Sequence, residues 1–138
     1  MSESDGPIPE GAVLAFDFGL KHIGVATGQT ITCTASALTT LSARDGKPDW
    51  GRVRSLVNDW RPIRLIVGLP LNMDDTESEM SERARSFARR LEKEAGVRVE
   101  MADERLTSRA AASAQPADDH SHAAAAALIA ETWLNDRR

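Results

Sequence analysis

The stretch that most constrains what this chain can fold into is residues 13–28, VLAFDFGLKHIGVATG, where one carboxylate, Asp17, stands between two runs that read as paired strands. Residues 12–18 are apolar except for Asp17, the pattern of a buried strand with an acid near its carboxyl end. Residues 22–27 form a second apolar run with Gly24 inside it. An unpaired carboxylate in such a place is costly. Asp17 therefore either faces solvent and bonds the turn, or is held there to bind a cation. Gly19 favours the second reading, because a residue without a Cβ lets the backbone bend and a ligand come close.

Further along, residues 31–41 read as a third strand, rich in Thr and apolar residues, and short turns make these three strands antiparallel neighbours. Residues 42–48 (SARDGKP) read as a loop. Asp49 is placed to cap a helix in which Trp50, Val53, Val57 and Trp60 recur at helical spacing until Pro62 ends it. Residues 63–69 (IRLIVGL) are too short and too β-branched for a helix, and their near-unbroken apolarity marks a central strand buried on both faces.

After the loop PLNMDD, Thr76 and Glu79 have the spacing of a capping box, opening a helix to about Ala95 with a core stripe of Met80, Ala84, Phe87, Ala88 and Leu91. Gly96 closes it, residues 97–102 form another strand, and Asp103-Glu104-Arg105 follows. A helix over residues 106–114 and an Ala-rich helix over residues 118–136 complete the chain. With right-handed crossovers the order of elements predicts an α/β domain: a mixed five-stranded sheet, order 3-2-1-4-5, covered by helices on both faces. Ligand crevices in such sheets lie beyond the carboxyl ends of parallel strands, where Asp17, Gly68 and Glu104 would gather. Asp119 and His122 share one helical face and could reach the same rim.

At 138 residues and two-fifths apolar content, the chain has room for one real core: a tail over residues 1–10 and a single domain over residues 11–138. The formal charge of -4 excludes a global basic field but not a local one. Cys33 is the only cysteine, which rules out an internal disulfide or a Cys-based zinc site and fits a reduced, cytoplasmic protein. The acidic start is unlike a signal peptide, and no apolar run approaches a membrane span of about 18 residues. No Ser-His-acid arrangement or HExxH pattern is present in the sequence.

The segments DFGLKHIGVA, IVGLPLNMDDTESEM, DERLTS and AAAALIAETWL together resemble the YqgF/RuvX family of Holliday junction resolvases, also linked to processing of the 5′ end of pre-16S rRNA. The resemblance spans nearly the whole chain. It implies a ribonuclease H-like fold and a divalent-metal-dependent endonuclease using Mg²⁺ or Mn²⁺ in two-metal-type phosphodiester hydrolysis. Asp17 matches the family's first acid, and Glu104 matches the Glu of DERLTS. His122 stands where the third acid belongs, a departure, with Asp119 one turn earlier offering a carboxylate; these four are the expected metal ligands and catalytic residues. His22 also stands where the family usually has Arg.

Nucleic acid, either structured rRNA precursor or branched DNA, would then be held by Lys21, His22, Arg83, Arg85, Arg89 and Arg90. The arginines follow Glu77, Glu79 and Glu82, which is equally what a solvated helix complementing its own dipole shows. Trp50, Trp60 and Trp133 are expected in the core. A monomer suffices for trimming rRNA, whereas a junction favours a homodimer. The alternative is a nucleic-acid- or ribosome-associated binding protein with a weakened site.

Overall fold

The computed structural model describes residues 10–69, 79–103 and 119–136. Strands β1 (Ala12–Asp17), β2 (His22–Gln29) and β3 (Thr34–Arg44) form an antiparallel meander. A two-residue strand β4 (Lys47–Pro48), helix α1 (Trp50–Trp60), strand β5 (Arg64–Leu69), helix α2 (Glu79–Ala95), strand β6 (Val99–Asp103) and helix α3 (Asp119–Asp136) follow. Among the described residues the sheet has the order β4-β3-β2-β1-β5-β6, with β1 parallel to β5 and β5 parallel to β6. The expected five-strand order is therefore present, with β4 added outside β3.

Alternation along β1 divides the interior in two. Leu14, Phe16 and Phe18 point to one side, where Val53 of α1 and Ala84, Phe87, Ala88 and Leu91 of α2 close the larger core. Val13 and Ala15 point to the other, where Ile66 of β5 meets Ile129, Ala130, Trp133 and Leu134 of α3. The central strands are apolar at successive positions because both of their faces are covered. Phe87 anchors the larger core, with ring centroids 6.0 Å from Phe16 and 5.2 Å from Phe18.

The helix signals are realised where they lie in described residues. The Asp49 side chain accepts a hydrogen bond from the Gly51 amide at 2.9 Å, capping α1. Arg61 ends that helix in the left-handed region (φ 46°), donating its amide to the Val57 carbonyl. Gly96 ends α2 at φ 69°. Thr76 of the expected capping box and the helix expected over residues 106–114 lie outside the described residues.

Three expectations are corrected. Residues 42–48 are not a loop: β3 runs on to Arg44 and turns back through Asp45 (φ 52°) and Gly46 (φ 80°), which supply the two positive φ values a two-residue hairpin needs. The third strand starts at Thr34 rather than residue 31, because the Cys33 amide bonds the Gln29 carbonyl in a turn that leaves Ile31 exposed. Trp60 is 36% exposed at the end of α1, whereas Trp133 is buried and Trp50 half-buried against the larger core.

Candidate active site

Asp17 is the last residue of β1 and half-buried. Strand alternation sends its side chain to the face of Val13 and Ala15, the face that α3 covers. Its partner across the β1/β2 ladder is Gly24. A Cβ built on Gly24 would stand 1.9 Å from the His122 carbonyl oxygen and 2.8 Å from the Ala123 nitrogen. The first turn of α3 thus rests on bare backbone beside Asp17. Gly24 is what lets an acid at a strand end and a histidine at a helix start share one corner.

His122 does not stand alone there. Its ring stacks on that of His22, at the start of β2, with centroids 4.9 Å apart and planes at 21°. Sequence reasoning assigned the two histidines to separate tasks, phosphate contact and metal binding, because nothing in residue spacing reports that α3 lies across β2. A groove beside His22 is lined by that residue, Ala37, Leu38, Thr39, Thr40, Ser42 and Ala123, so hydroxyls border the His22 side of the pair.

The turn after Asp17 is fixed from its other side. The Ala43 amide donates to the Lys21 carbonyl at 2.8 Å and the Gly46 amide to the Leu20 carbonyl at 2.9 Å, so the β3/β4 hairpin grips the β1/β2 turn. Gly19 does not leave an approach open for a ligand: a Cβ there would meet the His22 carbonyl oxygen at 2.4 Å, so the chain itself fills that space. Lys21 is exposed at the rim.

Two of the other expected ligands are not visible as side chains. Glu104 follows β6 and lies outside the described residues; Asp119 opens α3 by its backbone, and its side chain is outside the description. Among the described residues, no three His, Cys, Asp or Glu side chains gather around one point.

The basic residues of α2 fall on two separate faces. Arg83 bonds Asp45 of the hairpin at 3.0 Å and lies 3.7 Å from Glu79. Arg90 bonds Glu94 at 2.6 Å with its guanidinium 5.1 Å above the Trp50 ring. Hydrogen bonds from Arg90 and Arg54 hold the Glu94 carboxyl below the usual carboxylate range. Arg85 and Arg89 instead border a shallow groove of about 190 Å³ with Glu92, Val99 and Met101, on the β6 side. A sequence-level helix wheel could have separated these pairs, since positions 83 and 90 are two turns apart and 85 and 89 one turn.

A family model described as "RuvX: Holliday junction resolvase" matches residues 11–136. The chain belongs to this family. Relatives carrying the name "Putative pre-16S rRNA nuclease" include a protein of Azotobacter vinelandii (strain DJ / ATCC BAA-1303), 50% identical over 133 residues, covering 91% of this chain and 94% of that protein. Another, from Saccharophagus degradans (strain 2-40 / ATCC 43961 / DSM 17024), is 47% identical over 129 residues, with 88% and 91% covered. Among solved structures, T. thermophilus RuvC in complex with Holliday junction substrate superposes with a TM-score of 0.60 at 18% identity, over 92% of this chain and 95% of that one. A second Thermus thermophilus RuvC structure gives 0.57 at 17% identity. This RuvX-family chain therefore has the ribonuclease H-like fold of RuvC. No helix among its described residues is long and apolar enough to cross a membrane.

Proposed function

We propose that the chain is a metal-dependent endonuclease that hydrolyses phosphodiester bonds in the processing of pre-16S rRNA. The observation that carries this reading is the corner itself: Asp17 at the carboxyl end of β1, on the face where α3 sits directly on Gly24 and brings His122 in. Family membership and relatives near 50% identity that bear a nuclease name support the reaction class. Branched DNA is the second substrate reading, favoured by the family's description and by the RuvC-like fold.

The donor chemistry suits a hard divalent cation. Asp17 offers carboxylate oxygens, and Mg²⁺ typically keeps several waters and takes only one or two protein carboxylates, so a sparse set of acids is sufficient. Glu104 and Asp119 are proposed to complete the set with His122. Alternation along β6 puts Ala102 on the α3 side, and Glu104 is the next position of that alternation in the sequence. When bound, Mg²⁺ or Mn²⁺ in a two-metal arrangement supplies activation of water and stabilisation of the leaving oxygen. The protein's own part is positional. Asp17 is fixed by the ladder on one side and the hairpin grip on the other, His22 holds the His122 ring by stacking, and Lys21 presents positive charge to a phosphate at the rim.

The test is a cleavage assay on the purified chain with pre-16S rRNA fragments, Holliday junctions and plain duplexes, each with Mg²⁺, Mn²⁺ or EDTA. Specific, chelator-sensitive cutting of the rRNA precursor is expected. Cutting of junctions alone would replace the substrate assignment, and tight binding without any cut would favour the weakened-site alternative.

A further inference from the structure

On the opposite side of β1 from Asp17, a groove of about 500 Å³ opens between the β3/β4 hairpin, the start of α1 and the middle of α2. Phe18 and Phe87 form its floor, Trp50 one wall, and Lys47, Arg83 and Arg90 its cations. Trp50 stacks on Phe87 with centroids 5.5 Å apart and planes at 27°, so the indole is held at a fixed angle. Phe18, the residue after Asp17, is nearly buried in this floor.

Three features set the groove apart from an ordinary surface cleft. Its lining holds three cations and one acid, Asp45, in a chain whose formal charge is -4. The cations come from two separate elements, the hairpin and α2; Arg83 and Arg90 are each ion-paired, and no ion pair is present at Lys47 among the described residues. Part of the Trp50 surface is exposed: the residue is half-buried, with Phe87 stacked on it and the Arg90 guanidinium 5.1 Å from its ring centroid. Flat aromatic rings beside cations are what an unstacked nucleobase with its phosphate needs, because stacking accepts any base and the charges accept the backbone.

We propose that this groove is an exosite that binds one unpaired nucleotide, base against Trp50 and phosphate toward Lys47 and Arg83. The proposal rests on the substrate being nucleic acid, and it specifies the feature recognised: a single-stranded nucleotide next to the cleaved segment. The Arg83–Asp45 and Arg90–Glu94 pairs hold the guanidinium groups at the rim before the ligand arrives. Because Phe18 is buried in the groove and Asp17 faces the cleaving corner, a strand passing over the β1/β2 turn would meet both sites. The same base-plus-phosphate chemistry is carried by a free mononucleotide, which the experiment separates from a strand.

The experiment is equilibrium binding of a fluorescently labelled RNA hexamer to the intact chain in EDTA, read by anisotropy, where cleavage does not intervene. Trp50→Leu should weaken binding roughly 5- to 150-fold, the range for losing one base–aromatic stack. Trp50→Phe should recover most of the loss. Lys47→Ala, at an exposed position outside the core, should lower the salt slope of binding by about one. An abasic hexamer should bind wild type and Trp50→Leu alike. Equal hexamer affinity for wild type, Trp50→Leu and Lys47→Ala would overturn the exosite and leave the nuclease reading intact. AMP competing as well as the hexamer would overturn the single-strand assignment.

Discussion

Gly24→Ala adds one methyl group at the point where α3 rests on β2. The new Cβ would stand 1.9 Å from the His122 carbonyl oxygen, and ordinary contact begins near 3.4 Å, so the first turn of α3 must retreat by about 1.5 Å. The obstructing atoms are backbone, which no rotamer change can clear. Overpacking of this kind costs about 1–3 kcal/mol. Replacing a strand glycine returns about 0.5–1 kcal/mol through the unfolded chain, so a net loss of about 1–2 kcal/mol is expected. For a domain of this size that is a fall in Tm of roughly 3–10 °C. Gly51→Ala is the control, since its Cβ would meet only the Asp49 Oδ1 at 3.1 Å and the tip of Arg54 at 3.9 Å, and Ala favours a helix. Thermal melts followed by circular dichroism, paired with the cleavage assay, read both consequences. A Gly24→Ala protein that melts at or above wild type and cuts at the same rate would refute the claim that this contact sets the corner.

Asp17→Asn keeps the side chain's size but removes its charge, so metal-dependent cleavage should collapse at an unchanged Tm; a folded variant that still cuts would end the assignment. His122→Asp should shift the preferred ion from Mn²⁺ toward Mg²⁺, since an imidazole is a softer donor than a carboxylate, and equal Mn²⁺ and Mg²⁺ rates in both proteins would count against His122 as a ligand. Leu91→Ala, which empties a fully buried position between α2 and the sheet, should cost about 2–5 kcal/mol in urea denaturation, and a loss under 1 kcal/mol would mean the core closes over the gap. The folded-state pKa of Glu94 is depressed, chiefly by Arg90 and then Arg54, so its contribution to stability is present above the unfolded pKa of about 4.3 and lost as pH falls through the lower folded value. Glu94→Gln should therefore lower stability near neutral pH and flatten the acid limb of the stability curve; parallel wild-type and variant curves would contradict this.

Much of the fold is legible along the chain because the central strands announce themselves. The unbroken apolarity of residues 63–69 marks a strand covered on both faces, and the Asp49 cap and the Gly96 stop fix helix ends by local chemistry that needs no tertiary knowledge. Errors arose where tertiary contact decides. The Asp45-Gly46 turn carries a hairpin signal in its two residue types, but β4 is only two residues long and has no pattern of its own. Trp60 satisfies the helical spacing of an apolar stripe, yet it is the last residue of α1 and remains exposed there. At the site, Asp17 was readable as an acid at a strand end, whereas the His22–His122 stack joins residues 100 positions apart through an approach that only Gly24 permits. Glycine in a strand signals that something comes close; it does not name the visitor.

The alternation of β1 also determines which kinds of change this chain can absorb. Asp17 and Phe18 are consecutive, yet one serves the corner under α3 and the other the groove beside α2. Substitutions within β1 alter one compartment at a time. Removing or inserting a single residue between Ala12 and Asp17 would exchange the compartments, sending the carboxylate into the aromatic core and a phenyl ring into the polar corner. The strand works as a reading frame, so that for β1 a frame error is worse than any single misspelling, and library designs around this site should vary residue identity while holding its length constant.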